Sequence, residues 1–272
     1  MGMIDGNLVE ALDTEAFSQA HLWVLHSETF ADVPNVLNLD EGEEAATLRS
    51  RRLRRSFEVS RSMQRLLGEV YAPPGPGSTR SRAKRPTANT STQPPRWPCS
   101  SHHYSVAHTT SHWVCVVVQR PNVPGVDLEE YSRFSQAHPG FVASLAGRLG
   151  HGTQQGELET RATRNWVRLE AQYKWRAGSG IAETFPYLDP GNGFSDTSRR
   201  RIKGGAFIGI DWPLGHYMGL MLSSAVARIR VFEAGTSSSS NLQEVGDFFG
   251  MPIRRNHGVE DMLNARILHE EA

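Results

Sequence analysis

Cysteine is almost missing from this chain: Cys99 and Cys115 are the only two in 272 residues. So few thiols exclude a disulfide scaffold and any C-x-x-C zinc site. Long apolar runs are missing too. The longest, Trp113 to Val118, is six residues, far short of the ~20 a helix needs to cross a bilayer. No Lys or Arg precedes Arg49, and no extended apolar stretch stands near the start, so the N-terminus does not read as a secretory signal. Neither sign of charge is in excess, with 29 Lys and Arg against 29 Asp and Glu; whole-chain charge therefore argues for neither nucleic acid nor membrane as a partner. No Gly-x-Ser-x-Gly is present, which leaves an α/β-hydrolase unsupported. Asp189-Pro190-Gly191-Asn192-Gly193 is followed by no Gly-Lys-Ser/Thr, so it is a turn and not a phosphate loop. The expectation is a reduced, cytoplasmic, soluble monomer.

What is present suffices for a packed core. Hydrophobic residues make up 38% and charged residues 21%, and the length allows one large domain or two small ones. The balanced charge is segregated. Residues 1–48 hold ten acids and no cation, whereas 49–96 hold twelve Lys or Arg and two acids, Glu58 and Glu69. Such segregation marks a partner-facing surface; a solvated helix face followed by a basic loop is the plainer alternative.

The periodicities give a coarse map. Ala20 to Leu25 reads as a strand, Asp40 to Glu44 as an acidic helix start suited to the helix dipole, and Ala45 to Val70 as one long helix. Pro73 and Pro74 end it. Residues 73–98, rich in Pro, Ser and Arg, read as a flexible loop. Tyr104 to Val118 reads as a hairpin, Val126 to Glu129 as a short strand, and Phe141–Leu149 and Arg164–Arg176 as helices, the second stopped near Gly178. Residues 186–205 read as loop. Ala206–Ile210, Tyr217–Ser223 and Ala227–Phe232 read as strands, Ser237–Ser240 as a linker, and 241–272 as a helical or irregular tail. Strand, helix and hairpin sets in both halves suggest two similar lobes, 1–120 and 121–272.

Three acids carry the chemistry. Asp127 and Glu129 stand at i and i+2, which on a strand puts both on one face. Neighbouring carboxylates repel unless a cation lies between them. Gly125 just before them permits a tight turn or a close approach. Glu170 stands on the predicted helix, with Lys174 one turn on and Trp166 one turn back. Carboxylates without His or Cys suit a hard, oxygen-seeking ion, Mg²⁺ first, which commonly serves a phosphate substrate. Each fragment alone is as readily a solvated strand edge or a surface helix pair.

Together, Gly125-Val126-Asp127-Leu128-Glu129 and Trp166-Val167-Arg168-Leu169-Glu170-Ala171-Gln172-Tyr173-Lys174 resemble the paired signature of the Sfp-type 4'-phosphopantetheinyl transferases, G-[VI]-D-x-E followed by W-x-x-x-E-A-x-x-K. The segment Tyr104 to Val117 resembles that family's strand–SHS–strand, Arg61 to Tyr71 its N-lobe helix, and Gly215 to Leu222 a late strand. The resemblance implies an α+β fold of two pseudo-symmetric α/β lobes with the active site in the cleft between them. It implies coenzyme A as donor, Mg²⁺ as cofactor, and transfer of the phosphopantetheine arm to a serine of an acyl or peptidyl carrier protein in secondary metabolism. By resemblance, Asp127, Glu129 and Glu170 hold the metal, Glu170 takes the serine proton directly or through water, and Lys174 steadies the diphosphate. His108 and Thr109 match the family's His-Ser pair at the nucleotide phosphate, and Arg55 lies near a helix arginine that acts likewise. Leu169 stands where the family often has Lys, Ala107-His108-Thr109 replaces the SHS triplet, and Gln93-Pro94-Pro95-Arg96 replaces a Gly-Lys-Pro. A member of the fold repurposed for a CoA-like or carrier-bound substrate, and a non-catalytic carrier-binding module, are the alternatives.

Two other clusters compete. His102, His103, His108 and His112 lack a zinc-finger spacing, and the Arg51–Arg55 and Arg199–Lys203 runs lack the interleaved aromatics of a nucleic-acid surface.

Overall fold

A computed structural model describes residues 19–71, 101–146, 154–178, 205–212, 215–223, 226, 228–234 and 253–255. Within these the chain is a mixed α and β protein with eight strands and four helices. The strands are β1 (Gln19–His26), β2 (His102–His108), β3 (His112–Gln119), β4 (Gly125–Glu130), β5 (Gly205–Trp212), β6 (His216–Ser223), β7 (Arg228–Ala234) and β8 (Ile253–Arg255). The helices are α1 (Leu39–Thr47), α2 (Arg51–Val70), α3 (Pro139–Ala146) and α4 (Gln155–Gly178). None of them is long and apolar enough to cross a membrane.

The described residues group into two units that interleave along the chain. The larger takes in 19–24, the described residues between 103 and 233, and 255; the smaller takes in 25–71, 101–102, 234 and 253–254. In the smaller unit the expected single helix over 45–70 is two helices, a correction that local capping explains. Asn38 caps α1 through a reciprocal box with Glu41. Arg54 Nη2 donates to the Leu48 carbonyl at 2.9 Å, satisfying the open end of α1, and the Ser50 side chain accepts from Leu53 N to begin α2. These side chains supply partners that a continuous helix would provide internally.

A five-stranded sheet has the order β2-β3-β1-β7-β8, and a three-stranded one the order β4-β6-β5. Both contribute to one apolar core that includes Leu22, Val24, Val114, Val116, Val126, Leu128, Ile208, Leu220 and Val231. The run Trp113 to Val118 is buried throughout, as a strand covered on both faces requires. The tail expectation needs correcting at one point: 253–255 is a strand. The predicted loop at 186–205 needs correcting at its end, where Gly205 opens β5; the rest of it, the loop at 73–98, the linker at 237–240 and the rest of the tail lie outside the described residues.

The three-stranded sheet positions the acids. It is antiparallel, and its register aligns Asp127 with Gly219 and Gly219 with Gly209. Paired residues share a face. Val126 and Leu128, with Met218, Leu220, Ile208 and Ile210, therefore point into the core, while Gly125, Asp127 and Glu129 point the other way. Helix α4 packs against that second face. The glycines explain how it comes so near: a Cβ on Gly125 would stand 2.0 Å from the Ala171 carbonyl oxygen and 2.8 Å from Trp175 N, and one on Gly219 would stand 2.7 Å from Val167 Cγ1. Gly125 serves close approach, not a turn.

A candidate metal centre on strand β4 and helix α4

Helix α4 runs longer than the sequence pattern predicts, and its faces are divided. Val167, Ala171 and Trp175 are buried. Glu170 and Lys174, four apart, share a face on which Lys174 Nζ stands 3.5 Å from Glu170 Oε1. With α4 held tightly by Gly125, one oxygen each from Asp127, Glu129 and Glu170 come within 4.8 Å of one another. Asp127, Glu129, Glu170 and Lys174 all belong to the larger unit.

Two cations answer these carboxylates. Lys174 Nζ donates to Asp127 Oδ1 at 3.0 Å and to the Val126 carbonyl at 3.0 Å. Glu170 is its third polar neighbour, at ion-pair distance. Arg133 Nε lies 3.0 Å from Glu129 Oε1. Arg133 was not among the predicted site residues. A residue four beyond a strand acid meets it only where the strand gives way to a helical turn, and the 3₁₀ turn Tyr131–Phe134 does this here.

Electrostatic strain persists. Burial, together with the neighbouring Glu170 and against Lys174, raises Asp127 to about 6. Burial, with Asp127 beside it and Arg133 opposing, raises Glu129 to about 7. Burial pulls Lys174 down, but Asp127 and Glu170 outweigh it and leave its pKa raised, so the ammonium stays charged. Asp127 is only 4% exposed, and its Oδ2 has no hydrogen-bond partner among the described residues. A buried carboxylate oxygen left unsatisfied is costly. The donor set is oxygen alone, which fits a hard divalent cation such as Mg²⁺. Asp127, Glu129 and Glu170 would hold it.

The remaining predicted residues sit elsewhere. His108 is exposed at the end of β2. Thr109 Oγ1 accepts from Ser111 N at 3.3 Å and His112 N at 3.2 Å, so this hydroxyl stabilises the β2–β3 turn. The turn is tied to the ends of β4 and β6: Thr110 donates to Glu130 at 2.8 Å and Ser111 Oγ lies 2.9 Å from His216 Nε2. Arg55 belongs to the smaller unit, where its guanidinium donates to the carbonyls of Phe30 and Val33 and approaches Glu58. Leu169 is buried among Phe134, Val142, Leu145, Ala146 and Ala162, a cluster that Trp166 also joins. The direction of position 169 into this cluster explains why an apolar residue suits it. No protein-family model matches the chain, and no curated protein matches it.

Proposed function

We propose that this protein is a Mg²⁺-dependent transferase that moves the 4'-phosphopantetheine arm of coenzyme A onto a serine of an acyl or peptidyl carrier protein, in a reducing cytoplasmic setting and as a monomer. The observation that carries the reading is the convergence of three carboxylates from β4 and α4 around the unsatisfied Asp127 Oδ2. The resemblance of these two segments to the Sfp-type signature supplies the substrate. Mg²⁺, when bound, neutralises charge on the phosphoryl group under attack and on the departing phosphate.

The residues divide the remaining work. The serine hydroxyl attacks the phosphorus next to the pantetheine arm. A new phosphorus–oxygen bond forms to serine, the diphosphate bridge breaks, and adenosine 3',5'-bisphosphate leaves with the bond's electron pair. The hydroxyl proton needs an acceptor. Glu170, with 28% of its side chain exposed, is the accessible carboxylate of the three and takes it. Lys174 holds Asp127 and Glu170 in place and lends positive charge to the site. By the resemblance, His108 and Thr109 are the candidates for contact with the nucleotide phosphate, whereas the Arg55 guanidinium is committed to the Phe30 and Val33 carbonyls within its own unit. The basic segment 49–96 suits an acidic carrier by speeding encounter.

Intact-mass spectrometry tests this. Incubation with coenzyme A, Mg²⁺ and an apo carrier protein is expected to add about 340 Da, the mass of the transferred arm, to the carrier. Glu170→Gln is expected to abolish the gain while the thermal unfolding of the variant stays that of wild type. Coenzyme A binding without mass gain across several carriers points to a repurposed reaction. Carrier binding without coenzyme A binding points to a non-catalytic module. Wild-type turnover by Glu170→Gln removes Glu170 from the chemistry.

A further inference from the structure

We infer that Arg133 is a second anion-binding residue of this centre, held in reserve as the counter-ion of Glu129. The inference rests on the transferase reading and names the residue that receives the diphosphate. A diphosphate carries more negative charge than one ammonium can answer, and Lys174 is already engaged: it donates to Val126 O and Asp127 and stands 3.5 Å from Glu170. Leu169, where the resembled family often has a second lysine, is buried in an apolar cluster. Among the described residues, Arg133 is a cation against the acid cluster with most of its donors uncommitted. It makes one contact to Glu129, through Nε, at 3.0 Å.

Its setting suits the role. The guanidinium has five N–H donors in a planar fork that matches two phosphate oxygens at once. The side chain is 48% exposed, while its partner Glu129 is 15% exposed, so Arg133 reaches from a largely buried acid toward solvent. The Trp166 ring lies 6.0 Å from the guanidinium carbon and backs it. Arg133 and a divalent cation would both draw on the Glu129 carboxylate, whose Oε1 Arg133 holds at 3.0 Å. A cation that takes Glu129 frees Arg133 for an anion, which couples the two binding events in the order metal first, diphosphate second.

Titrations of the full chain separate the two halves of this inference. Mn²⁺ alone is followed by electron paramagnetic resonance, and coenzyme A in the presence of Mg²⁺ by calorimetry. Arg133→Gln is expected to bind Mn²⁺ about threefold more tightly, since a competitor is gone, and coenzyme A about tenfold more weakly, the usual scale for a lost charged hydrogen bond. Arg133→Lys, which keeps the charge but not the fork, is expected to fall between wild type and Arg133→Gln in coenzyme A affinity. Unchanged affinities overturn the inference and make Arg133 a surface ion pair. Loss of both affinities with a lowered melting temperature overturns it in favour of a structural role. Failure of the wild-type chain to bind Mn²⁺ overturns the transferase reading and this inference with it, a result distinct from Mn²⁺ binding that Arg133 does not affect.

Discussion

The two faces of the β4–β6–β5 sheet are built from the same strands on opposite principles. On one, Val126, Leu128, Met218, Leu220, Ile208 and Ile210 are buried in apolar contact. On the other, Gly125, Asp127 and Glu129 of β4 oppose Met221, Gly219 and Tyr217 of β6, and side chains are removed to admit a helix. The first face stabilises by burying carbon. The second gives up packing volume so that the backbones of β4 and α4 come close enough for a strand acid and a helix acid to meet. One strand with a period of two thus serves stability and chemistry without either pattern disturbing the other.

Substitutions on the two faces break this comparison most sharply. Gly125→Val forces carbon into the 2.0 Å gap before the Ala171 carbonyl, where backbone must move. Overpacking of this kind is expected to cost about 3 kcal/mol, read as a lowered urea midpoint, and to abolish Mn²⁺ binding because α4 carries Glu170 away from Asp127. Leu128→Ala, on the core face, is expected to cost a similar ~3 kcal/mol through its cavity yet to leave Mn²⁺ affinity within about twofold, since the acid spacing does not depend on it. Equal losses of Mn²⁺ binding in the two variants count against the division of labour.

That division was largely legible in the sequence. The alternation Val126-Asp127-Leu128-Glu129 states a strand with one apolar and one acidic face, and Glu170-x-x-x-Lys174 states a helix face. Gly125 announced a special backbone position without saying which kind; only the Ala171 carbonyl beside it decides for close approach. The break between α1 and α2 was hidden because it depends on Arg54 reaching back to the Leu48 carbonyl, a contact no local pattern encodes. Arg133 was hidden for a similar reason, since its pairing with Glu129 requires β4 to pass directly into a helical turn. The strand at 253–255 lies in a sequence segment with no strong alternation and reads as sheet only beside its neighbour β7.

Acidity separates the faces next, because only one of them titrates. Asp127 at about 6 and Glu129 at about 7 stand above the ~4 of an unfolded carboxylate. Carboxyls raised in this way bind protons on folding, so the stability these two groups contribute in the metal-free protein is present below about pH 4 and is lost as pH rises through about 7. Melting temperatures in EDTA are expected to drop by several degrees across that window and to recover on adding millimolar Mg²⁺ at pH 8, because a ligand of the folded state alone stabilises it. The double variant Asp127→Asn, Glu129→Gln is expected to flatten the profile and remove the Mg²⁺ response. A slope that survives in that variant assigns the titration to other groups.

The smallest effect is expected within a single row of the second face, where Glu129, Tyr217 and Asp211 align across the three strands. Glu129 and Asp211 are both acids, and each is paired with an arginine, Arg133 at 3.0 Å and Arg164 at 2.8 Å. They differ in burial. The Glu129 side chain is 15% exposed and the Asp211 side chain 64% exposed, so Asp211 stands open to solvent while Glu129 depends on its neighbours. Arg164 also lies against the Tyr131 and Tyr217 rings, and burial with a hydrogen bond to Asp211 lifts the Tyr131 phenol to about 12. Even so, an exposed ion pair is worth at most about 1 kcal/mol. Asp211→Asn is therefore expected to shift the urea midpoint slightly and to leave Mn²⁺ affinity unchanged, whereas Glu129→Gln loses the cation. If Asp211→Asn weakens Mn²⁺ as much as Glu129→Gln does, then position along the sheet, and not burial, selects the acids that bind.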